Sequence, residues 1–263
     1  MRRYARLMSL QLRASALLAA QYRADFFIEA AVSALWVVTA TAPLFVVYGG
    51  GRSGLPGWSF DEALLVVGWF ILLQGVLDGA INPGLQAVVD HIRKGTLDFL
   101  LLKPADAQFL VSTSRFQLWR VVALVAALVI FTGAFWRMGR VPAPWGVAAA
   151  VLLLAAATLL LYSLWILIVS AAFIVVRVDN LTYLFSSIFD AARWPASVFR
   201  GGLRAFFTFV IPLAVMTTYP AEALLGRLEA WRLGAAVAGA VAFAAVARVV
   251  WLRSIAHYTS AGG

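Results

Sequence analysis

The chain contains no cysteine and only two histidines, His91 and His257, far apart in sequence. Disulfides, thiolate nucleophiles and cysteine-ligated metals are therefore excluded, and a histidine-rich metal cluster has nothing to form from. Charge is scarce too: 13% of the 263 residues are charged, against ~25% in ordinary soluble domains. No G-x-x-x-x-G-K-[ST] phosphate loop exists, since Lys94 precedes Gly95 and Lys103 precedes Pro104. G-x-S-x-G and H-E-x-x-H are likewise absent. What the sequence has in excess is apolar side chains, at 63% with glycine left uncounted. Soluble domains carry about 45–50% with glycine included, and a soluble fold of this length could not hide the surplus. The net charge of +9 comes from 21 Lys and Arg against 12 Asp and Glu. Nucleic acid is one partner for such a charge, but cytoplasmic loops and anionic headgroups account for it better in so apolar a chain.

The apolar residues are concentrated in runs. Residues 26–48 form the first, long enough for a crossing of about 20 residues, with Asp25 and Glu29 at its start. A Gly- and Pro-rich loop follows. Ser59 then precedes Asp61 and Glu62, an N-cap with acids in the first turn, and opens a second span over 60–82 that Pro83-Gly84 interrupts. Residues 118–136 make a third span, with Arg115 and Arg120 at its start. A run over 145–176 is 32 residues long, near 48 Å if helical at ~1.5 Å per residue, so it tilts or projects beyond the membrane. A polar connection, Arg177-Val178-Asp179-Asn180, leads to a fifth span near Leu181 that Asp190, Arg193 and Pro195 interrupt. The last span covers 233–252. Ahead of them all, Arg2, Arg6, Ser9 and Arg13 share one helical stripe, and Leu7, Leu10, Ala14 and Leu18 another, the pattern of a basic helix lying on headgroups.

The short, Pro212-containing segment 203–219 decides the count: seven spans if it crosses, six if it re-enters. Arg2, Arg3, Arg6, Arg13 and Arg23 precede span one, and Arg93, Lys94, Lys103 and Arg115 lie between spans two and three. The positive-inside rule puts both groups in the cytoplasm. Arg200, Arg204, Arg227 and Arg232 then face outward in the six-span arrangement, against the rule. Glu29 and Asp78 are intramembrane acids that could carry a proton, although snorkelling or a nearby arginine accounts for each more simply. Asp190 and Arg193, three apart, can pair on one helix face.

The most informative stretch is HIRKGTLDFLLLKPADAQFL, residues 91–110. Gly95 is placed to end one short helix and Pro104 the next piece. The apolar strip between them, including Leu97 and Leu101, lies beside cytosol. It packs on headgroups or docks a partner.

These residues resemble the permeases of ATP-binding cassette exporters of the ABC-2 type, in the bacterial six-span branch of about 260 residues. The matching pieces are the basic amphipathic start, WSFDEA at 58–63, IRKGTLDFLLLKP at 92–104, VRVDNL at 176–181 and FVIPLAVMTTYPAEALLG at 209–226, in that order. The resemblance implies one all-α polytopic permease domain over 1–263. It would have six transmembrane helices, an interfacial helix over 1–24 marked by Arg2, Arg6 and Arg13, a cytoplasmic coupling segment over 83–117, and an outer re-entrant segment over 200–230. The coupling residues would be Arg93, Lys94, Gly95, Thr96, Leu97, Asp98, Leu101, Lys103 and Pro104, resting on a separate ATPase subunit. Two permeases, identical or related, would join two ATPases in the bacterial cytoplasmic membrane, with both termini inside. Spans two and five would line the path. The chain would hold no cofactor or metal and would not be an enzyme, because ATP and Mg would be bound by the partner ATPase. Lipid is an expected partner and nucleic acid is not. A proton-coupled transporter and a non-transport membrane scaffold are the rival readings.

Overall fold

The computed structural model describes residues 2–21, 23–49, 54–173 and 179–257. Arg52, Arg177 and Val178, and the side chains of Arg23, Asp25, Asp179 and Asn180, lie outside that description. Among the described residues the chain is all helix and turn. Helix α1 (Arg2–Gln21) leads to α2 (Arg23–Gly49), α3 (Phe60–Val76), a π turn (Leu77–Ile81) and α4 (Asn82–Arg93). Two short helices follow, α5 (Asp98–Leu101) and α6 (Ala107–Ser112), and then the long α7 (Val121–Met138) and α8 (Pro144–Ala171). The chain finishes with α9 (Asp179–Phe189), α10 (Gly201–Phe209), a second π turn (Ala214–Thr218), α11 (Tyr219–Leu224) and α12 (Ala230–Ala256).

Helices α3 and α8 are the central pillars. Leu65, Leu73, Leu77, Leu153, Leu160 and Trp165 are all fully buried, and α3 packs most extensively on α7 while α8 packs on α12. Helix α3 starts where the sequence suggests. Ser59 Oγ accepts from the Glu62 amide at 3.3 Å, and Glu62 Oε2 accepts from the Ser59 amide at 3.0 Å. This reciprocal capping box satisfies two otherwise orphaned donors.

The expected interruption at Pro83-Gly84 does not occur; one 34-residue helical span runs from Phe60 to Arg93. Proline cannot donate to the carbonyl four residues back, which here is that of Gly79. The Gln117 amide donates to that carbonyl instead, at 2.8 Å. The π turn absorbs the irregularity, and the same bond ties span two to the start of α7.

The run over 145–176 is a helix only over Pro144–Ala171, 28 residues, still about 42 Å long. The expected fifth span is short: α9 has 11 residues and gives way to 3-10 turns at Asp190–Arg193 and Ala196–Val198. Helix α10 and the segment from Ala214 to Leu224 are bent 69° from one another.

The ends of the helices settle how often the chain traverses the bundle. At one end, here the upper, Tyr48 reaches the Trp58 carbonyl, Arg137 pairs with Asp61, and Arg227 pairs with Glu62. At the lower end Tyr4 meets Phe109, Phe173 meets Trp251, and Arg248 pairs with Asp106. Between the lower end of α8 and the upper start of α12 there is one net traverse, made in two pieces. Helix α9 climbs to the level of Phe70, against which Phe189 packs. The Thr217 hydroxyl donates to the Ala192 carbonyl at 2.7 Å, and α11 completes the climb. Among the described residues the total is six traverses, and α1 and the end of α12 lie at the same end. A seventh would separate them.

Candidate functional site

The lower end is built around the segment linking α4 to α7. Helix α4 stops at Gly95, whose φ of 63° suits glycine alone without strain. The Thr96 amide then donates to the His91 carbonyl at 2.9 Å, and His91 Nδ1 lies 2.8 Å from Thr96 Oγ1. This tight reversal determines which side chains of the next turn point inward. Leu97 is turned toward the core and fully buried, and Leu101 packs against the same core. The apolar side chains left outside are Phe99 and Leu102, three apart on α5 and its cap. Arg93, Lys94, Lys103 and Pro104 are exposed beside them, while Gly95, Thr96 and Asp98 are half-buried. The expectation that Leu97 and Leu101 form the outward strip is thus corrected: the stop at Gly95 rotates both into the protein.

The segment is anchored from three sides. Asp106 caps α6, accepting from the Phe109 amide at 3.0 Å, and receives Arg248 of α12 at 2.5 and 3.2 Å. Arg248 also donates to Gln108 at 2.6 Å. Gln108 donates to the Tyr162 hydroxyl of α8 at 3.0 Å, and Ser112 shares that hydroxyl at 2.8 Å. The Arg248 hydrogen bond holds the Asp106 carboxyl below the usual carboxylate range. Gly84 of α4 lies so close to α6 that a Cβ there would stand 2.5 Å from the Val111 carbonyl oxygen. The third anchor is α1. Arg3 donates to the Pro104 carbonyl, Tyr4 accepts from the Asp106 amide at 3.3 Å, and buried Ser15 accepts from the Phe116 amide at 3.1 Å. Helix α1 is consequently three-sided. Tyr4, Met8, Gln11 and Ser15 face protein, Leu10, Leu17 and Leu18 are exposed, and Arg2, Arg6 and Arg13 project along a separate exposed stripe.

Above this segment lies a groove of about 410 Å³ between α2, α3, α7 and α9. Its charged lining consists of two ion pairs, set among Ser33, Thr39, Gln74, Ser186 and Ser187. Asp78 binds Arg120 at 3.3 Å and accepts from Gln74 at 3.0 Å. Asp190 binds Arg193 at 3.1 Å, within the 3-10 turn that ends α9, and Arg193 lies over the Phe70 ring. A second cavity, also about 410 Å³, continues downward past Asn82, Gln86 and Asp90 and shares Tyr183 and Ser186 with the first. Gln74, Asp78, Asn82, Gln86 and Asp90 recur every fourth residue. On a plain α-helix each such step drifts by about 40°. The π turn inserts one extra residue and sets the stripe back by about 100°, keeping it on one side. Glu29, near the start of α2, does not line the groove and forms no ion pair among the described residues.

Two of the four arginines that break the charge rule in the six-span reading, Arg227 and Arg232, are neutralised at the upper end, while Arg200 and Arg204 stay exposed. Arg227 pairs with Glu62, Arg137 with Asp61 at 3.0 Å, and Arg232 with Glu229 at 3.1 Å and Glu222 at 3.5 Å. Sequence reasoning missed these pairings, the Asp106–Gln108–Tyr162–Arg248 network and the polar stripe. The stripe alone had a signal in the sequence, its fourfold recurrence.

Among the described residues five helices are long and apolar enough to cross a membrane, or six if α10 and the segment Ala214–Leu224 count as one bent span, so this is a multi-pass membrane protein. Residues 34–262 match the family described as ABC-2 family transporter protein, and the chain belongs to that family. No curated protein and no solved structure matches the chain.

Proposed function

We propose that the chain is the permease subunit of an ATP-binding cassette exporter. Its groove forms part of the translocation path, and a separate ATPase, in two copies beside a second permease, drives it. ATP and Mg are held by that ATPase, and this chain catalyses nothing. The observation that carries the reading is one of continuity. A single helical span links the groove to the exposed Phe99–Leu102 knuckle, because α3, the π turn and α4 run unbroken into the Gly95 reversal. A push on the knuckle is delivered to the polar stripe as the tilt of one rod. Transport then follows as nucleotide binds one of two packings of that rod more tightly than the other. Residues 93–104 act as the coupling element through Phe99, Leu102, Arg93, Lys94 and Lys103. Thr96, Leu97, Asp98 and Leu101 shape it from within. The basic lower end faces the cytoplasm of a bacterial cell, with both termini there, and Arg2, Arg6 and Arg13 meet anionic headgroups.

The test is purification from the native host in mild detergent. A P-loop ATPase should accompany the wild-type chain and be lost from Phe99→Asp/Leu102→Asp, with membrane insertion unchanged. Full ATPase recovery with the double variant would remove the knuckle from the coupling. Transport that survives ATP depletion but stops with a proton uncoupler would replace the exporter reading with proton coupling.

A further inference from the structure

We propose that the groove between α2, α3, α7 and α9 binds a zwitterionic amphiphile, a head carrying an oxyanion and an ammonium on an alkyl chain. The inference rests on the path reading for the purpose of the site, but not for the binding itself. The charged groups of the lining are two carboxylates and two guanidinium groups, already paired as Asp78–Arg120 and Asp190–Arg193. Their net charge is zero. A lone anion or cation is drawn to one member of each pair and repelled by the other, whereas a head with both signs answers both.

The remaining hydrogen-bonding capacity has the same two-sided character. Ser33 is 4% exposed, lines the groove, and its hydroxyl finds no partner among the described residues. The buried Nε of Arg120 is unpartnered in the same way. Both residues line the groove, so each has donor capacity left over that an oxyanion seated there could take up. On the other wall the Asp190 carboxylate is 56% exposed beyond its arginine and can accept from an ammonium. The exposed rings of Trp36 and Tyr183 also line the groove and present faces of the kind that bind quaternary ammonium groups. Val37, Ala40, Phe70 and Ile71 supply apolar wall for the first methylenes of a chain.

The test uses the full chain purified in a neutral maltoside detergent, without ATP or ATPase. Native mass spectrometry measures retention of lysophosphatidylcholine against two single-chain probes of equal length, lysophosphatidic acid and an alkyltrimethylammonium. Roughly tenfold preferential retention of the zwitterion, about 1.4 kcal/mol, is the expected result. Asp78→Asn/Arg120→Gln, which removes a pair without stranding either charge, and Ser187→Trp, which fills the groove from an exposed position, should each abolish the preference. Equal retention of all three probes, a preference for either probe with charge of one sign, or retention unaffected by both variants overturns the proposal. If the double variant does not fold, Ser187→Trp decides. ATP-driven flux is assayed separately in proteoliposomes. Selective binding without flux would defeat the path reading and leave this one standing.

Discussion

The two ends of the bundle carry arginines in different company. At the upper end Arg137, Arg227 and Arg232 are matched by Asp61, Glu62, Glu222 and Glu229. At the lower end Lys94, Lys103, Arg115 and the stripe of α1 stand exposed, and the principal pairing, Arg248 with Asp106, serves as a clamp. A rule that counts basic residues treats the ends as competitors. The structure shows that one end uses its arginines to hold protein together, while the other keeps them on the surface. The paired arginines of the upper end therefore need no further anionic partner, whereas Arg140, between α7 and α8, and Arg200 and Arg204, on or beside α10, stay exposed.

The largest effect is expected from a charge placed on either side of the lower segment. Leu97→Asp puts a carboxylate where a side chain is 1% exposed. It should cost at least about 4 kcal/mol, from lost burial and an unpaired buried charge. Phe99→Asp, two residues on and 72% exposed, should stay within about 0.5 kcal/mol of wild type. Thermal unfolding midpoints in mild detergent separate the two. Similar losses would mean that the knuckle packs as core.

The second effect is at the upper end. Arg227→Ala leaves Glu62 almost buried and without its cation, and should destabilise by about 2 kcal/mol, less than for a fully buried pair because Arg227 itself is partly exposed. Arg204→Ala, on a helix exposed along nearly its whole length, should change stability by no more than about 0.5 kcal/mol. Equal effects would deny that pairing explains the upper-end arginines.

How far the sequence reached obeys the same division. Hydropathy runs and caps located the crossing helices and the Ser59 start, because burial in lipid and in protein impose the same composition. They could not say which helices are central. The most apolar window of the α3–α4 span is 61% buried and that of α2 is 17%, although the two are equally apolar. The break at Pro83 was misread because the rescue comes from the Gln117 amide, far along the chain. The strip 97–102 was recognised as amphipathic, but its inward face depends on the rotation set at Gly95. Ion pairs such as Arg227–Glu62 join residues 165 apart, beyond any periodicity.

A smaller effect tests the lower clamp. The Asp106 carboxyl is held below its usual range by Arg248. A lowered folded-state pKa contributes stability that is present above the unfolded-state value, near ~3.9, and is lost as pH falls through the folded-state value. Asp106→Asn should therefore lower the unfolding midpoint at neutral pH, and the gap between variant and wild type should close as pH drops below the carboxylate range. Because asparagine caps a helix as well as aspartate, a gap that stays constant with pH would assign the loss to disturbed packing rather than to the ion pair.

Which end of the bundle faces the cytoplasm can be read without disturbing stability. The chain has no native cysteine, so each introduced one reports alone. Ala230, at the start of α12, and Lys103, on the knuckle, are both exposed and at opposite ends of the bundle. An impermeant thiol reagent applied to intact cells should label Ala230→Cys, and should reach Lys103→Cys only after the membrane is opened. The reverse pattern would turn the bundle over and put the exposed arginines outside and the matched ones within. The knuckle would then be out of reach of any cytoplasmic ATPase, and orientation alone would refute the coupling without a transport assay.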